Sequence, residues 1–311
     1  MPNRVRRKRR RRNPARILLA VVLIAAAAYA GIHCLLFQKP QQVQAVEQLN
    51  EEEQNAEQAQ VDEEAEALRS HQERKADFYT ILVSGVDDGN GNSDTNILVA
   101  VDTAGGSIYG VSIPRDTKAG WNGKSHKINA AFGSGGIEKL ADVIGDQLGI
   151  PVDYTVQVDL KGFVALVDAI GGVDFDVPID MNYEDPYQDL YIHIPAGMQH
   201  LSGEEALKVV RFREGYASQD IARMETQQAF LKAVAQQTLQ ISNLTKVDQF
   251  VKIFQQYVET DLTLGNLAWL GSKAISIGAE NVAFSTLPGD WKSPYIYLNK
   301  EETLTLVNEH L

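Results

Sequence analysis

Apolar and polar positions divide the chain into blocks of different character. Residues 17–37, "ILLAVVLIAAAAYAGIHCLLF", form an apolar run of 21 residues. At about 1.5 Å rise per residue a helix of that length spans a hydrocarbon core of about 30 Å. Residues 38–77 are rich in Gln, Glu and Ala, and their sparse apolar positions keep no clean heptad. A solvated, partly helical stalk is expected there. From Phe78 the pattern is that of a folded domain. "FYTILVSGVD", "TNILVAVD" and "SIYGVSIP" are short apolar runs separated by "DGNGN" and "TAGG", and they read as buried strands with turns between them. Ile137, Leu140, Ala141, Ile144 and Leu148 recur at helical spacing. "YTVQV" reads as a strand, "LKGFVALVDAI" as a helix stopped by Gly171, and "VDFDVPI" as another strand. Ser202 stands three residues before Glu205, the arrangement of a capping box. A long helix is expected over residues 219–239 with Ile221, Met224, Leu231 and Val234 facing inward. Two further helices are expected over 247–258 and 263–278, and a late strand at "NVAFSTLPG". Strands alternating with helices predict an α/β domain layered α-β-α around a central mixed sheet, preceded by one transmembrane helix and a stalk.

Charge settles the orientation of that helix. The chain has 311 residues with 41 Asp and Glu against 29 Lys and Arg, a net of -12. Nine of the basic residues and none of the acids lie in residues 1–16, so the remainder carries 20 basic against 41 acidic residues, a net of -21. A basic block before an apolar run places the head in the cytoplasm and the body outside. The same block could bind nucleic acid in isolation, but the acidic body repels it, so no nucleic-acid partner is expected. A signal peptide cleaved after "AYA" is disfavoured because the apolar run continues past it, and the residue before Cys34 is His33, not the small residue a lipoprotein needs. Cys34 is the only cysteine, so the body has no disulfide, Cys-based metal site or Cys nucleophile. The six histidines show no metal-ligand spacing, and there is no P-loop.

Three stretches carry candidate chemistry. In "SGVDDGNGNSDTNI", Asp87, Asp88 and Asp94 flank a Gly/Asn loop. An EF-hand is excluded because position six is Ser93 and position twelve is Val99. A plain turn and a carboxylate pair, Asp87 and Asp94, holding one magnesium that keeps several waters both remain open. "SIPRDT" places Arg115 and Asp116 after a strand that Pro114 ends. They are either a structural ion pair or a ligand group at a carboxyl strand end. Lys127 and Asn129 precede a Gly-rich helix start that could cradle an anion. "VVRFREGYASQDIARMETQQ" brackets one loop with Arg211, Arg213 and Arg223. If residues 211–213 are extended, Arg211 and Arg213 share a side. If the later segment is helical, Arg223 and Gln227 share a face. Guanidinium forks match phosphate oxygens, and several of them gathered in an acidic body imply an anion such as a pyrophosphate.

In order, "ILVSGVD", "SDTNILVAVD", "VSIPRDT", "KINAAF", "GFVALVDAIGGVDFDV", "LSGEEALKVVRFRE" and "DIARMETQQ" resemble the LytR–CpsA–Psr family of bacterial cell-envelope proteins over residues 78–241. The resemblance implies a phosphotransferase that moves an anionic glycopolymer from an undecaprenyl-pyrophosphate carrier to peptidoglycan. Asp87 and Asp94 would match the metal carboxylates, with magnesium or manganese as the ion. Arg115, Arg211, Arg213, Arg223 and Gln227 would match the pyrophosphate-binding set. Lys127 would add to that set, and Asp220 would orient the cluster. Arg115 and Arg213 would act with the two carboxylates in catalysis. The polyprenyl tail would need an apolar tunnel lined by "GFVALVDAI" and the 221–234 helix. Asn92, Ala119 and Thr226 stand where the family commonly has arginine or a similar donor. A polyprenyl-pyrophosphate hydrolase, a lipid-binding member without ligase activity and a membrane-anchored envelope regulator are the alternatives. The expected organisation is a cytoplasmic tail (1–16), a signal anchor (17–37), a stalk (38–77), a catalytic domain (78–241) and C-terminal elements completing it (242–311).

Overall fold

The computed structural model describes residues 37–43, 75–86, 93–187, 190–212, 220–238 and 247–311. The basic head, nearly all of the predicted anchor and most of the predicted stalk lie outside them. Among the described residues no helix is long and apolar enough to cross a membrane.

The elements run β1 (Phe78–Val86), β2 (Ser93–Asp102), β3 (Ser107–Ile113), β4 (Lys118–Trp121), β5 (Lys124–Lys127), α1 (Ala130–Leu148), β6 (Tyr154–Asp159), α2 (Leu160–Ile170), β7 (Val173–Val177), β8 (Met181–Asp185), β9 (Leu190–Ile194), β10 (Gly197–Leu201), α3 (Gly203–Arg211), α4 (Asp220–Thr238), α5 (Val247–Tyr257), β11 (Val258–Thr260), α6 (Leu264–Ile277), β12 (Val282–Thr286), β13 (Gly289–Lys292), β14 (Tyr295–Leu298) and α7 (Lys300–His310). The central sheet has the order β11-β6-β1-β2-β3-β12. β1 is antiparallel to β2 and parallel to β6, and β3 is antiparallel to β2 and parallel to β12. β1, β3, β6 and β12 therefore all point one way, and their carboxyl ends share one edge of a mixed sheet.

Both faces of this sheet are covered, which is why its strands read as apolar runs without alternation. Side chains two apart share a face. Leu82, Leu98, Val111 and Ile113 pack with Leu140, Ile144 and Leu148 of α1. Tyr79, Ile81 and Val101 turn the other way, against Ile277 and the partly buried Trp269 of α6. The Tyr79 and Trp269 rings meet edge to face, with centroids 5.7 Å apart. A second core joins α2, α3 and α4 to the ribbons β7–β10 and β8–β9.

Several expectations change in detail. "VDFDVPI" does form a strand, but outside the central sheet. Val173, Phe175 and Val177 are buried while Asp174 and Asp176 are exposed, the alternation of a strand with one wet face. α1 begins seven residues before the predicted periodicity, and the extra turn is set off by non-helical Gly135 and Gly136. The inward residues of α4 are Phe230 with Ala233 and Val234 rather than Leu231; the side chains of Ile221 and Met224 lie outside the described set. Of the residues expected to line a lipid tunnel, Val167, Ile170 and Phe230 are buried in one cluster with Phe163 packed beside them.

The stalk also starts later than expected, because residues 38–43 lie along the domain. Gln38 donates its N–H to the Gly265 carbonyl at 3.1 Å and accepts from Asn266 Nδ2 at 2.9 Å. The Tyr154 hydroxyl accepts from Gln41 N and donates to Gln41 O, both at 2.8 Å. Val43 N–H donates to Asp153 Oδ1 at 2.7 Å. These backbone groups find partners on the body, so the segment is bound and not a free spacer.

Candidate phosphate-binding site at the strand ends

Pro114 follows the last residue of β3, and the chain turns sharply at the carboxyl edge of the sheet. The turn is pinned at both ends. Thr117 N–H donates to the Pro114 carbonyl at 3.0 Å and its hydroxyl does so at 2.7 Å. Ile128 N–H donates to Thr117 O at 2.8 Å, and Asn129 N–H to Arg115 O at 3.3 Å. This backbone lattice leaves the Arg115 and Asp116 side chains projecting. Asp116 takes Lys127 Nζ at 2.8 Å on Oδ1 and Arg115 Nε at 4.0 Å on Oδ2. Arg115 and Lys127 are each 41% exposed, so the pair with Asp116 is solvent-screened and of small worth to stability. One carboxylate between two cations leaves a local net positive charge in an acidic body. The amino end of α1, which has no acidic residue in its first turn, begins beside it at Asn129.

The second half of the site comes from α3 and α4. A complete capping box starts α3, in which the Ser202 hydroxyl accepts from Glu205 N–H and the Glu205 carboxylate accepts from Ser202. These hydrogen bonds from Ser202, its hydroxyl first and its backbone N–H next, hold the Glu205 carboxyl below its usual range. Arg211 is the last residue of that helix and Phe212, buried and extended, caps it. The extended conformation considered for residues 211–213 is not adopted at Arg211, which ends a helix; Arg213 lies outside the described residues. Gln227 of α4 donates Nε2 to the Val210 carbonyl at 3.2 Å, which ties α4 to the carboxyl end of α3 beside Arg211. Gln228 donates Nε2 to Thr286 Oγ1 at 2.7 Å. Thr286 ends β12 and is paired with Ser112 of β3, two residues before Pro114. α4 is therefore anchored at the same strand edge as Arg115.

Of the sequence candidates, the structure brings Arg115 and Lys127 together around Asp116 and sets Arg211 beside Gln227. Arg223 and Asp220 belong to α4 and Asp94 to β2, but their side chains lie outside the described set, as do Asp87 and Arg213 entirely. Among the described residues no cluster of three or more His, Cys, Asp or Glu could hold a metal.

The structure adds residues that the sequence reading passed over. At the same carboxyl edge, Ser84 donates its hydroxyl to Asn96 Oδ1 at 2.9 Å inside the sheet. Asn96 Nδ2 and Ser93 Oγ are buried and have no partner among the described residues. A buried unpaired donor costs about 1–3 kcal/mol, a penalty that polar groups of a ligand would relieve. The signal was visible as Ser84, Ser93 and Asn96 interrupting apolar strands. Two of the positions where the resemblance led us to expect a cationic donor are interior: Ala119 is buried in the main core and Thr226 is buried on α4. A guanidinium at either place would have to be accommodated within packing.

Relatives of known description resemble the chain over this fold. It is 34% identical over 196 residues to the polyisoprenyl-teichoic acid–peptidoglycan teichoic acid transferase TagV of Bacillus subtilis, covering 60% of this chain and 50% of that one. The chain thus spans about half the length of that relative. It is 34% identical over 221 residues to TagU of Bacillus cereus, of the same description, covering 70% of each. The crystal structure of B. subtilis TagV superposes with a TM-score of 0.64 at 28% identity, over 76% of this chain and 98% of that one. The LytR_cpsA_psr family matches residues 39–310, from the bound segment ahead of β1 to the end of α7, and this chain belongs to that family.

Proposed function

We propose that the protein transfers a phosphate-bearing glycopolymer from a polyprenyl-pyrophosphate carrier to a hydroxyl of peptidoglycan. The observation that carries this reading is the convergence of the Arg115–Asp116–Lys127 turn and the Arg211–Gln227 helix junction on one edge of the sheet. The names of TagV and TagU support the substrate class. Arg115, Lys127 and Arg211, with Arg213 and Arg223, would bind the pyrophosphate oxygens, and Asp220 would orient those arginines. Gln227 would hold α4 in register with Arg211. The acceptor oxygen attacks the phosphorus nearest the polymer. A new P–O bond forms, the bridging P–O bond breaks, polyprenyl monophosphate leaves, and the acceptor's proton passes to solvent or a nearby base. Guanidinium groups held in place before reaction stabilise the charge that grows on the phosphorus oxygens.

Asp87 and Asp94 would hold a divalent cation, magnesium or manganese. The buried Ser93 hydroxyl and Asn96 amide, which have no partner among the described residues, add polar groups at this strand edge. When bound, the ion would neutralise charge on the phosphate oxygens. The basic head and the 17–37 run would anchor the chain in the cell membrane with its body outside, beside a membrane-borne donor.

The test uses the full chain in detergent with lipid-pyrophosphate-linked teichoic polymer and peptidoglycan, with and without magnesium. Polymer covalently attached to peptidoglycan, with release of polyprenyl monophosphate, is expected. Free polymer released at the same rate without peptidoglycan would replace this reading with a hydrolase. Binding without turnover would replace it with a carrier or regulator.

A further inference from the structure

Two hairpins continue from the site along the surface, and their register places the cations. In β4–β5, Lys118 pairs with Lys127 and so shares its face, while Ala119 and Trp121 turn into the core. In β13–β14, Lys292 pairs with Tyr295 and Asp290 with Tyr297, all on one face, while Leu298 packs against the main core. The hairpins are joined at the Arg115 turn. Ile296 N–H donates to Asp116 O at 2.9 Å, Thr117 bridges Ile296, and the Tyr295 hydroxyl donates to Ser125 O at 3.3 Å. Lys118 Nζ lies 5.3 Å and Lys292 Nζ 5.9 Å from the centre of the Tyr297 ring, which is 38% exposed. Tyr295 stands at 86° to it, 6.3 Å away.

The result is a strip that runs Arg115, Lys127, Lys118, Tyr297, Lys292. It holds four cations against two carboxylates, Asp116 and Asp290, and Asp116 is already bonded to Lys127. Across the whole body beyond residue 16, the strip included, acids outnumber bases about two to one, with 41 against 20. A local reversal of sign along this strip marks an anionic partner. Lysines give point-charge contacts to phosphates, and an exposed tyrosine face suits the C–H groups of a sugar or polyol.

From this strip we infer a subsite for the donor polymer itself: Lys118, Lys292 and Tyr297 bind the phosphate-linked repeats that lead away from the pyrophosphate. The inference rests on the transferase reading. It commits to the polymer and not to the peptidoglycan acceptor, because a phosphate on every repeat matches a row of ammonium groups. The glycan strand of peptidoglycan carries its carboxylates on its peptides.

The experiment measures affinity of the full chain in detergent for lipid-free oligo(glycerol phosphate). Neutral glucan and soluble peptidoglycan strands are the comparison ligands, and polymer-free polyprenyl pyrophosphate is the control. The K118Q/K292Q double variant is expected to bind the oligomer about tenfold more weakly. Tyr297→Ala should weaken it by about threefold while Tyr297→Phe retains it. Melting temperature and polyprenyl-pyrophosphate affinity should match the parent chain in all three. Oligomer affinity that is unmeasurable in the parent, or unchanged in K118Q/K292Q and Tyr297→Ala, would overturn the subsite. So would a loss seen for peptidoglycan strands in place of the oligomer. Arg115→Ala separates the two readings: if it leaves polyprenyl-pyrophosphate affinity intact while the lysine variants lose the oligomer, the pyrophosphate assignment fails and the strip stands.

Discussion

The two ends of the central sheet treat polar groups in opposite ways. Where β1 and β6 begin, Asp153 is 5% exposed, and its carboxylate is closed off by donors. Oδ2 accepts from Thr80 N–H at 2.8 Å and Oδ1 from Val43 N–H at 2.7 Å. The Thr80 hydroxyl accepts from Asp153 N–H at 3.2 Å and donates to Pro151 O at 2.6 Å. Where the same strands end, Asn96 Nδ2 and Ser93 Oγ are buried without partners among the described residues, and Arg115 and Lys127 stand half-exposed around one carboxylate. The first end uses its polar groups to hold residues 38–43 to the body. The second holds donors in reserve. Unpaired donors inside a sheet oppose folding, so a protein that keeps them has another use for them.

The sharpest way to break this comparison is Asp153→Ala. It leaves the buried Thr80 N–H and the part-buried Val43 N–H without an acceptor and should cost about 1–3 kcal/mol of stability in urea titration. Polyprenyl-pyrophosphate affinity of the folded protein should be unchanged; a loss of affinity without a loss of stability would dissolve the division between the two ends. Arg115→Ala should do the reverse. One charged contact of about 1.5–3 kcal/mol is lost, roughly ten- to hundredfold in affinity, with the melting temperature nearly unmoved. Arg115→Lys should restore only part, since an ammonium lacks the planar fork. A lowered melting temperature with unchanged affinity would make Arg115 a structural ion-pair residue.

A milder effect is expected at α3, which carries Arg211. Ser202→Ala removes the cap and should cost about 1 kcal/mol. Glu205 supplies a pH signature. Its folded-state pKa is lowered by the hydrogen bonds from Ser202, so its contribution is fully present above the usual carboxylate range and is lost as pH falls through the lower folded value. The parent chain should therefore lose stability in acid more steeply than Ser202→Ala, whose Glu205 has lost the hydroxyl and keeps only the backbone N–H. Parallel acid titrations would show equal slopes if the box were unimportant. The smallest change in stability should come from Ser93→Ala. Removing an unpaired buried hydroxyl should leave stability within about 0.5 kcal/mol of the parent, or raise it, while transfer slows. Clear destabilisation with full transfer would mean that Ser93 belongs to the structural class.

Much of the fold was legible because period reports burial. The uninterrupted runs of β1, β2 and β3 announced a sheet covered on both faces, and the three- and four-residue spacing of Leu140, Ile144 and Leu148 announced α1. Ser202 and Glu205 marked the start of α3 through chemistry contained in four residues. Short ribbons escaped. β13–β14 is exposed or half-exposed along its length, so no alternation of buried and wet positions marks it. The ribbon is held by contacts with a segment some 170 residues away, as between Tyr295 and Ser125.

By itself, the sequence determined the α/β layering, the family and the residue types available for phosphate chemistry, because those follow from local period, local capping and motifs read in order. Only the tertiary structure decided which of those residues meet. Arg115 and Lys127 converge on Asp116 because a pinned turn and a hairpin place them together. Arg211 adjoins Gln227 because α4 is anchored to both α3 and the end of β12. Lys118 and Lys292 flank one tyrosine because two hairpins distant in sequence share an edge. The reason is physical: hydrogen-bond partners and charge neighbours are set by distance in space, and the chain's periodicity carries no information about contacts made more than a few residues apart.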